Sequence, residues 1–246
     1  MSLFLVATPI GNLADISERA KQALIQAQII AAEDTRSARR LLAALNIPLQ
    51  GRELVSYGEH NEKQMAARLG PLLERGNRIA LISEGGTPLI SDPGYRLVQK
   101  ALQAGAPVVP IPGPCAAIAA LCASGLPVHA FLFRGFPPKK SGARGRLLKE
   151  LAEREETLIF YESPQRVGAF LKDLADTMGA GRRACVAREL TKFHETFLRG
   201  TLGDLAERLG QEASPNAPRG ECTVLVAGMT EDEPEEPAEP PSAEPR

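Results

Sequence analysis

Short apolar runs alternate along the chain with stretches in which apolar residues recur at helical spacing. Leu3 to Ala7, Ile29 to Ala32, Arg78 to Ile82 and Val108 to Ile111 read as buried strands, and the pieces between them read as helices. Asp15 with Glu18 three residues on predicts a capping box for the helix that follows, and Thr35 is expected to cap the one carrying Arg39, Leu41, Leu42 and Leu45. This alternation predicts an α/β sheet with crossover helices.

The second half repeats the theme. Thr157 to Tyr161, Ala184 to Ala187 and Cys222 to Ala227 read as strands, and helices are expected around Arg146 to Arg154, Val167 to Met178 and Leu202 to Leu209. A Gly-Leu-Pro break after an Ala-rich helix puts a boundary between Gly125 and His129. The expected organisation is therefore an α/β domain over 1–126, a second α/β domain over 127–228 and an acidic, proline-rich, disordered tail over 229–246.

Composition narrows the picture. With 43% apolar and 24% charged residues the 246-residue chain can bury a core. Its net charge of −1 hides a split, because the stretch from Thr230 to Arg246 holds seven of the 30 acids and one of the 29 bases, leaving the body at +5. That balance permits an anionic partner without demanding one, and DNA is not expected. No Trp and three Tyr disfavour a platform for stacking unpaired bases. The four cysteines form no CxxC pair and the three histidines are scattered, so neither a metal site nor a disulfide framework is expected. No segment reads as a signal peptide or membrane span, which predicts a cytoplasmic protein.

Three Gly/Pro-rich turns each follow a predicted strand: Ala7 to Asn12, Ser83 to Gly94 and Pro112 to Ala117. In an α/β sheet such turns gather at the carboxyl ends of the strands, where ligands bind. Glycine lets a backbone approach a ligand closely, and the N–H groups opening the helix after Cys115 favour an anion or carboxylate. Neither GxGxxG opening a first βα unit nor GxxxxGK[ST] is present, which sets aside dinucleotide and P-loop readings.

The strings TPIGNL (Thr8 to Leu13), AAEDTR (Ala31 to Arg36), EHNE (Glu59 to Glu62), GTPLISDPG (Gly86 to Gly94), PGPCAAI (Pro112 to Ile118), FYESPQR (Phe160 to Arg166) and ARELTK (Ala187 to Lys192) occur in order. Together they closely resemble the bacterial ribosomal RNA small subunit methyltransferase I family of the tetrapyrrole-methylase superfamily, over roughly Phe4 to Gly228. The resemblance implies two α/β domains with S-adenosylmethionine in the cleft between them, usually in a homodimer. It also implies methyl transfer to a cytidine ribose 2′-hydroxyl in the decoding region of 16S rRNA, within the 30S subunit. One departure is Glu84-Gly85 where the family usually has Asp and Ala; Glu adds a methylene, and Gly loosens the backbone by roughly 0.5–1 kcal/mol.

Carried across motif by motif, the cofactor contacts implied are Ile10, Gly85, Gly86, Thr87, Ile90, Cys115, Ala116, Tyr161, Glu162 and Leu190. Candidates for removing the hydroxyl proton or stabilising charge are Glu33, Asp34, Arg36, Glu189 and Lys192. Bland alternatives stand beside them: Asp34 as a helix cap, Arg36 as its ion-pair partner, Glu189 with Lys192 as an exposed pair, and Cys115 as a packing residue. Phe136 to Arg146 reads as a flexible basic loop whose Lys139, Lys140, Arg144 and Arg146 are the RNA-binding candidates, against the alternative of a solvated loop. Rival readings are a superfamily methyltransferase acting on a tetrapyrrole or other small molecule, and a non-catalytic RNA-binding assembly factor.

Overall fold

A computed structural model describes residues 1–211 and 221–229. The first half builds β1 (Ser2–Val6), a 3-10 turn at Leu13–Asp15, α1 (Glu18–Gln26), β2 (Ile29–Ala32), α2 (Thr35–Ala44), β3 (Glu53–Ser56), α3 (Glu62–Glu74), β4 (Arg78–Ile82), α4 (Tyr95–Gln103), β5 (Val108–Ile111) and α5 (Ala116–Ser124). Its strands form a parallel sheet in the order β3-β2-β4-β1-β5. Alternate residues feed opposite faces. Ile29, Ala31, Ile79 and Leu81 pack with Leu69, Leu73 and Leu97 of α3 and α4, whereas Ile30, Ala32, Ala80 and Ile82 pack with Leu24 and Leu42 of α1 and α2. Both faces are covered, which is why these strands read as continuous apolar runs. The neighbouring strands β1 and β4 send their following helices to opposite faces, opening a crevice at their carboxyl ends.

The second half builds β6 (Phe131–Gly135), α6 (Ser141–Leu151), β7 (Thr157–Glu162), α7 (Val167–Met178), β8 (Arg183–Arg188), β9 (Thr196–Thr201), α8 (Leu202–Gln211) and β10 (Cys222–Val226). These strands make a mixed sheet, β6-β7-β10-β8-β9, in which only β6 and β7 run parallel. One face carries Phe160, Val186 and Val224 under α6, α7 and α8. The other face carries Ile159, Cys185, Ala187 and Leu225, and α5 covers it through Ala117, Ala120 and Leu121. Thus α5, which lies before the expected boundary, packs on the second sheet. No helix among the described residues is long and apolar enough to cross a membrane.

Several local expectations are corrected. The cap of α1 is Ser17, whose side chain accepts from the Ala20 N–H at 3.1 Å, while Asp15 belongs to the preceding 3-10 turn capped by Asn12. Asp34, not Thr35, caps α2. The expected basic loop is a loop only as far as Lys140; Ser141 opens α6, and Arg144 pairs with Asp173 and donates to the Lys139 carbonyl at 3.2 Å. The strands β3, β6 and β9, absent from the sequence reading, are sheet edges. The acidic stretch expected after Gly228 lies outside the described residues apart from Met229, whose N–H donates to the Arg154 carbonyl at 2.6 Å.

Where α7 meets α8, a Cβ on Gly168 would sit 2.8 Å from the Leu209 carbonyl oxygen. Helix propensity alone would make Gly168→Ala stabilising by about 1 kcal/mol. The backbone contact reverses the sign, and urea unfolding is expected to show a loss of about 1–3 kcal/mol; a gain would show that the helices separate freely.

Candidate active site

The three Gly/Pro turns meet at the crevice. Thr8 and Gly86 exchange backbone hydrogen bonds, 2.9 Å in each direction, as an isolated antiparallel bridge between the turns after β1 and β4. The buried Ser83 hydroxyl donates to the Gly86 carbonyl at 3.0 Å. Thr87 Oγ1 donates to the Pro114 carbonyl at 2.9 Å, tying the second turn to the third. Gly86 sits at φ +94°, a left-handed conformation that glycine takes without strain. A Cβ at Gly85 would lie 3.2 Å from the Pro9 carbonyl oxygen, so glycine there permits close apposition of the first two turns.

The second sheet closes the crevice. Tyr161, on β7, accepts the Ala117 N–H at 3.1 Å and so satisfies one of the free donors at the start of α5. Its ring is wedged between Phe133 and Phe136, at centroid distances of 5.0 and 5.6 Å. Burial pushes its phenol pKa up, and the neighbouring Cys115 thiol adds to the rise. The turn after β8 reaches back to the first turn, where Thr191 Oγ1 accepts the Asn12 N–H at 3.1 Å. Glu189 and Thr191 hold positive φ values of 53° and 64° without being glycine. Such conformations persist only where surrounding contacts fix them.

These elements enclose a cavity of about 580 Å³. Ile10, Gly85, Gly86, Thr87, Ile90, Cys115, Ala116, Tyr161 and Leu190 all line it, as do Glu33, Glu189 and Lys192. Glu162 does not. It is only 1% exposed and its carboxylate takes both a bidentate pair with Arg166, at 2.7 and 2.6 Å, and the Ser163 N–H at 2.7 Å. It braces the start of α7, and the structure does not bring its side chain into the lining. Asp34 and Arg36 also fall outside the lining: Asp34 Oδ1 caps α2 through the Arg36 N–H at 2.7 Å, a hydrogen bond that holds its pKa down, and the Arg36 side chain is 85% exposed. Among the basic candidates Lys139, Lys140 and Arg146 are exposed, while Arg144 is committed to Asp173.

The cavity is acid-rich. Besides Glu33 and Glu189 its wall carries Glu84, Asp92 and Glu221, against one lysine, Lys192, which pairs with Glu189 at 2.9 Å. Glu84, the departure from the usual Asp, accepts the Ser37 hydroxyl at 3.3 Å. Burial, then Glu84 and Glu59, raise the Glu33 pKa. Asp92 is pushed up to about 7 by burial first, then by Glu33, Glu221 and Glu84, with the Ser83 hydroxyl acting in the opposite direction. Five carboxylates around one cavity favour a positively charged ligand. Sequence reasoning passed over Asp92, Phe136, Glu221 and Thr223; only Asp92 had a local signal, in the Ser-Asp-Pro-Gly turn of the GTPLISDPG string.

The site can be set beside known proteins. A model of the tetrapyrrole (corrin/porphyrin) methylases matches residues 2–206. The ribosomal RNA small subunit methyltransferase I of Pasteurella multocida is 47% identical over 234 residues, 95% of this chain and 82% of that protein. Its counterparts from Pseudomonas aeruginosa and Vibrio cholerae are 47% and 48% identical over 96% and 92% of this chain, and 82% and 77% of their own lengths. Among solved structures, the methyltransferase CobJ (TM-score 0.66, 20% identity) and uroporphyrin-III-C-methyltransferase from Thermus thermophilus (TM-score 0.61, 21% identity) share the fold, each over 92% of this chain and 94% of its own. A family match across most of the residues that build both sheets, together with relatives at this identity covered over most of their length, means that the chain belongs to the tetrapyrrole (corrin/porphyrin) methylases and, within them, to the ribosomal RNA small subunit methyltransferase I family.

Proposed function

We propose that this chain binds S-adenosylmethionine in the cleft between its two sheets and transfers the methyl group to a cytidine ribose 2′-hydroxyl in the decoding region of 16S rRNA. It would act on the assembled 30S subunit, as a cytoplasmic homodimer. The observation that carries the reading is the single cavity into which the three turns and the second sheet converge, in a chain whose relatives are named for small-subunit rRNA methylation. The lining fits the cofactor's chemistry. Backbone groups at Gly85 and Thr87 can meet polar edges of the adenosine, Gly86 lets them approach by its closeness to Thr8, and the start of α5 at Cys115 and Ala116 offers N–H groups to a carboxylate. The carboxylate excess suits the sulfonium and ammonium charges.

When bound, the cofactor supplies an activated methyl group with a neutral thioether as leaving group. The protein's remaining tasks are alignment of the ribose oxygen and removal of its proton. Tyr161 fixes the start of α5, and Phe133 and Phe136 fix Tyr161, so the acceptor approaches a rigid wall. Of the expected helpers, Glu33 is a partly buried carboxylate on the wall, and Lys192 offers a cation to a phosphate of the substrate backbone. Exposed Lys139, Lys140 and Arg146 lie where α6 begins and provide further phosphate contacts.

Transfer of labelled methyl to 30S subunits from a strain lacking this protein tests the reading, with naked 16S rRNA and 50S subunits as controls. Label at an alkali-resistant cytidine linkage in 30S subunits is expected. In the same assay, replacing Lys139, Lys140 and Arg146 together by Gln should raise KM for subunits about tenfold or more and weaken its salt dependence. Unlabelled 30S subunits would overturn the substrate, and an unchanged KM would overturn the basic patch.

A further inference from the structure

The residues from Leu89 to Gly94 make an unusually constrained turn. Leu89 and Ser91 hold φ values of 73° and 63°, and Gly94 holds 149°. A Cβ at Gly94 would lie 2.7 Å from Leu81 Cδ2 and 2.9 Å from Leu89 Cγ, so no other residue fits without displacing the core. From the second sheet, Gly135 at the end of β6 presses so closely that its own Cβ would fall 2.8 Å from Ser91 Oγ. Backbone of this kind is strained and survives only where the surroundings over-determine it.

Glu62 supplies much of that determination. This last residue of the EHNE string opens α3, yet its Oε1 accepts the Gly94 N–H at 3.0 Å, the Arg96 N–H at 3.2 Å and the Tyr57 hydroxyl at 3.5 Å. Its Oε2 lies 3.7 Å from Arg96 Nε. Glu62 therefore caps α4 from another element and pins the end of the turn, while Gly135 limits its middle. The residue held between these restraints is Asp92, whose side chain lines the cavity.

We propose that Asp92 is the group that takes the proton from the acceptor hydroxyl, and that Glu62 is the positioning residue that sets the turn presenting it. The proposal rests on the methyl-transfer reading above. In the step, the ribose oxygen forms a bond to the methyl carbon as the carbon–sulfur bond breaks; the bonding pair leaves with sulfur and the hydroxyl proton passes to the Asp92 carboxylate. Charge balances, since a sulfonium and a carboxylate become a thioether and a carboxylic acid. The strained turn is the feature an ordinary wall carboxylate does not need.

The surroundings suit the task. Asp92 faces Glu33 at the end of β2, Glu84 in the turn after β4 and Glu221 before β10, with Ser83 beside it and Lys192 on the same wall. Burial, and after it those carboxylates, bring its pKa to about 7 without cofactor, near the value that favours a general base at neutral pH. A bound sulfonium draws the value downward, keeping the carboxylate ionised when the methyl donor is present.

The test uses the full chain, saturating S-adenosylmethionine and 30S substrate over pH 5.5–8.5. Asp92→Asn should lower kcat at least about 100-fold, raise the cofactor Kd less than tenfold and abolish the acid limb of the pH profile. Asp92→Glu should recover part of kcat with that limb displaced. Glu62→Ala should lower kcat about tenfold and displace the limb, an effect that loss of stability alone does not produce, and Glu62→Gln, which keeps the Oε1 acceptor, should recover most of the rate. Label on 30S by wild type together with Asp92→Asn turnover within threefold of it would overturn Asp92 as the base. So would an acid limb that survives in Asp92→Asn and disappears in Glu33→Gln. Should the Asn variant not fold, an undisplaced limb in Asp92→Glu would overturn the assignment equally. No label by wild type on any ribosomal substrate instead removes the reading on which the proposal rests.

Discussion

The packing of α5 on the second sheet is the contact on which the site depends. Chain order makes α5 the last helix of the first half, yet its buried face meets Ile159, Cys185, Ala187 and Leu225. Ala117 and Ala120 keep that seam close. Both ends of α5 are held by the same sheet: Tyr161 accepts the Ala117 N–H, and Arg199 of β9 donates Nε to the Ser124 carbonyl at 3.1 Å and Nη2 to the Ala123 carbonyl. A tyrosine oxygen at the positive end and a guanidinium at the negative end complement the helix dipole. Gly125, at φ 78°, ends the helix in the left-handed turn. Because the third turn leads directly into α5, fixing the helix fixes that turn against the second sheet. Through Thr87 and Gly86 it also fixes the other two turns.

Within the cleft so formed, electrostatics and shape work together. Backbone bridges place glycines and small residues where a ligand can approach closely, and carboxylates occupy the remaining wall. Burial first, and then repulsion from Glu33, Glu221 and Glu84, raises the Asp92 pKa, and both are a stability cost when its carboxylate is ionised. A cationic ligand relieves it. The same arrangement thus weakens the empty fold slightly and strengthens binding of a sulfonium.

What the sequence revealed follows the same physics. Buried central strands announce themselves because both faces are apolar, and β2, β4 and the β5 edge were legible residue for residue. The other edges were not: β3 buries only Val55, β6 only Gly135 and β9 only Leu198. Helix caps misled because adjacent polar residues compete, so Ser17 and Asp34 took the places expected of Asp15 and Thr35. At the site, the Gly/Pro turns identified most of the wall. Glu162 stands outside that wall, and a motif position cannot reveal that Arg166 has captured its carboxylate. Asp92 went unremarked because its significance lies in a restraint by Glu62, 30 residues earlier in the chain.

Calorimetric titration of the protein with S-adenosylmethionine from pH 6 to 8.5 tests the cleft most directly. One site per chain is predicted, with affinity rising severalfold as pH increases through about 7, because Asp92 in the cofactor-free protein ionises over that range and its charge then attracts the sulfonium. Absence of saturable heat at millimolar cofactor, or an affinity indifferent to pH, would contradict the account.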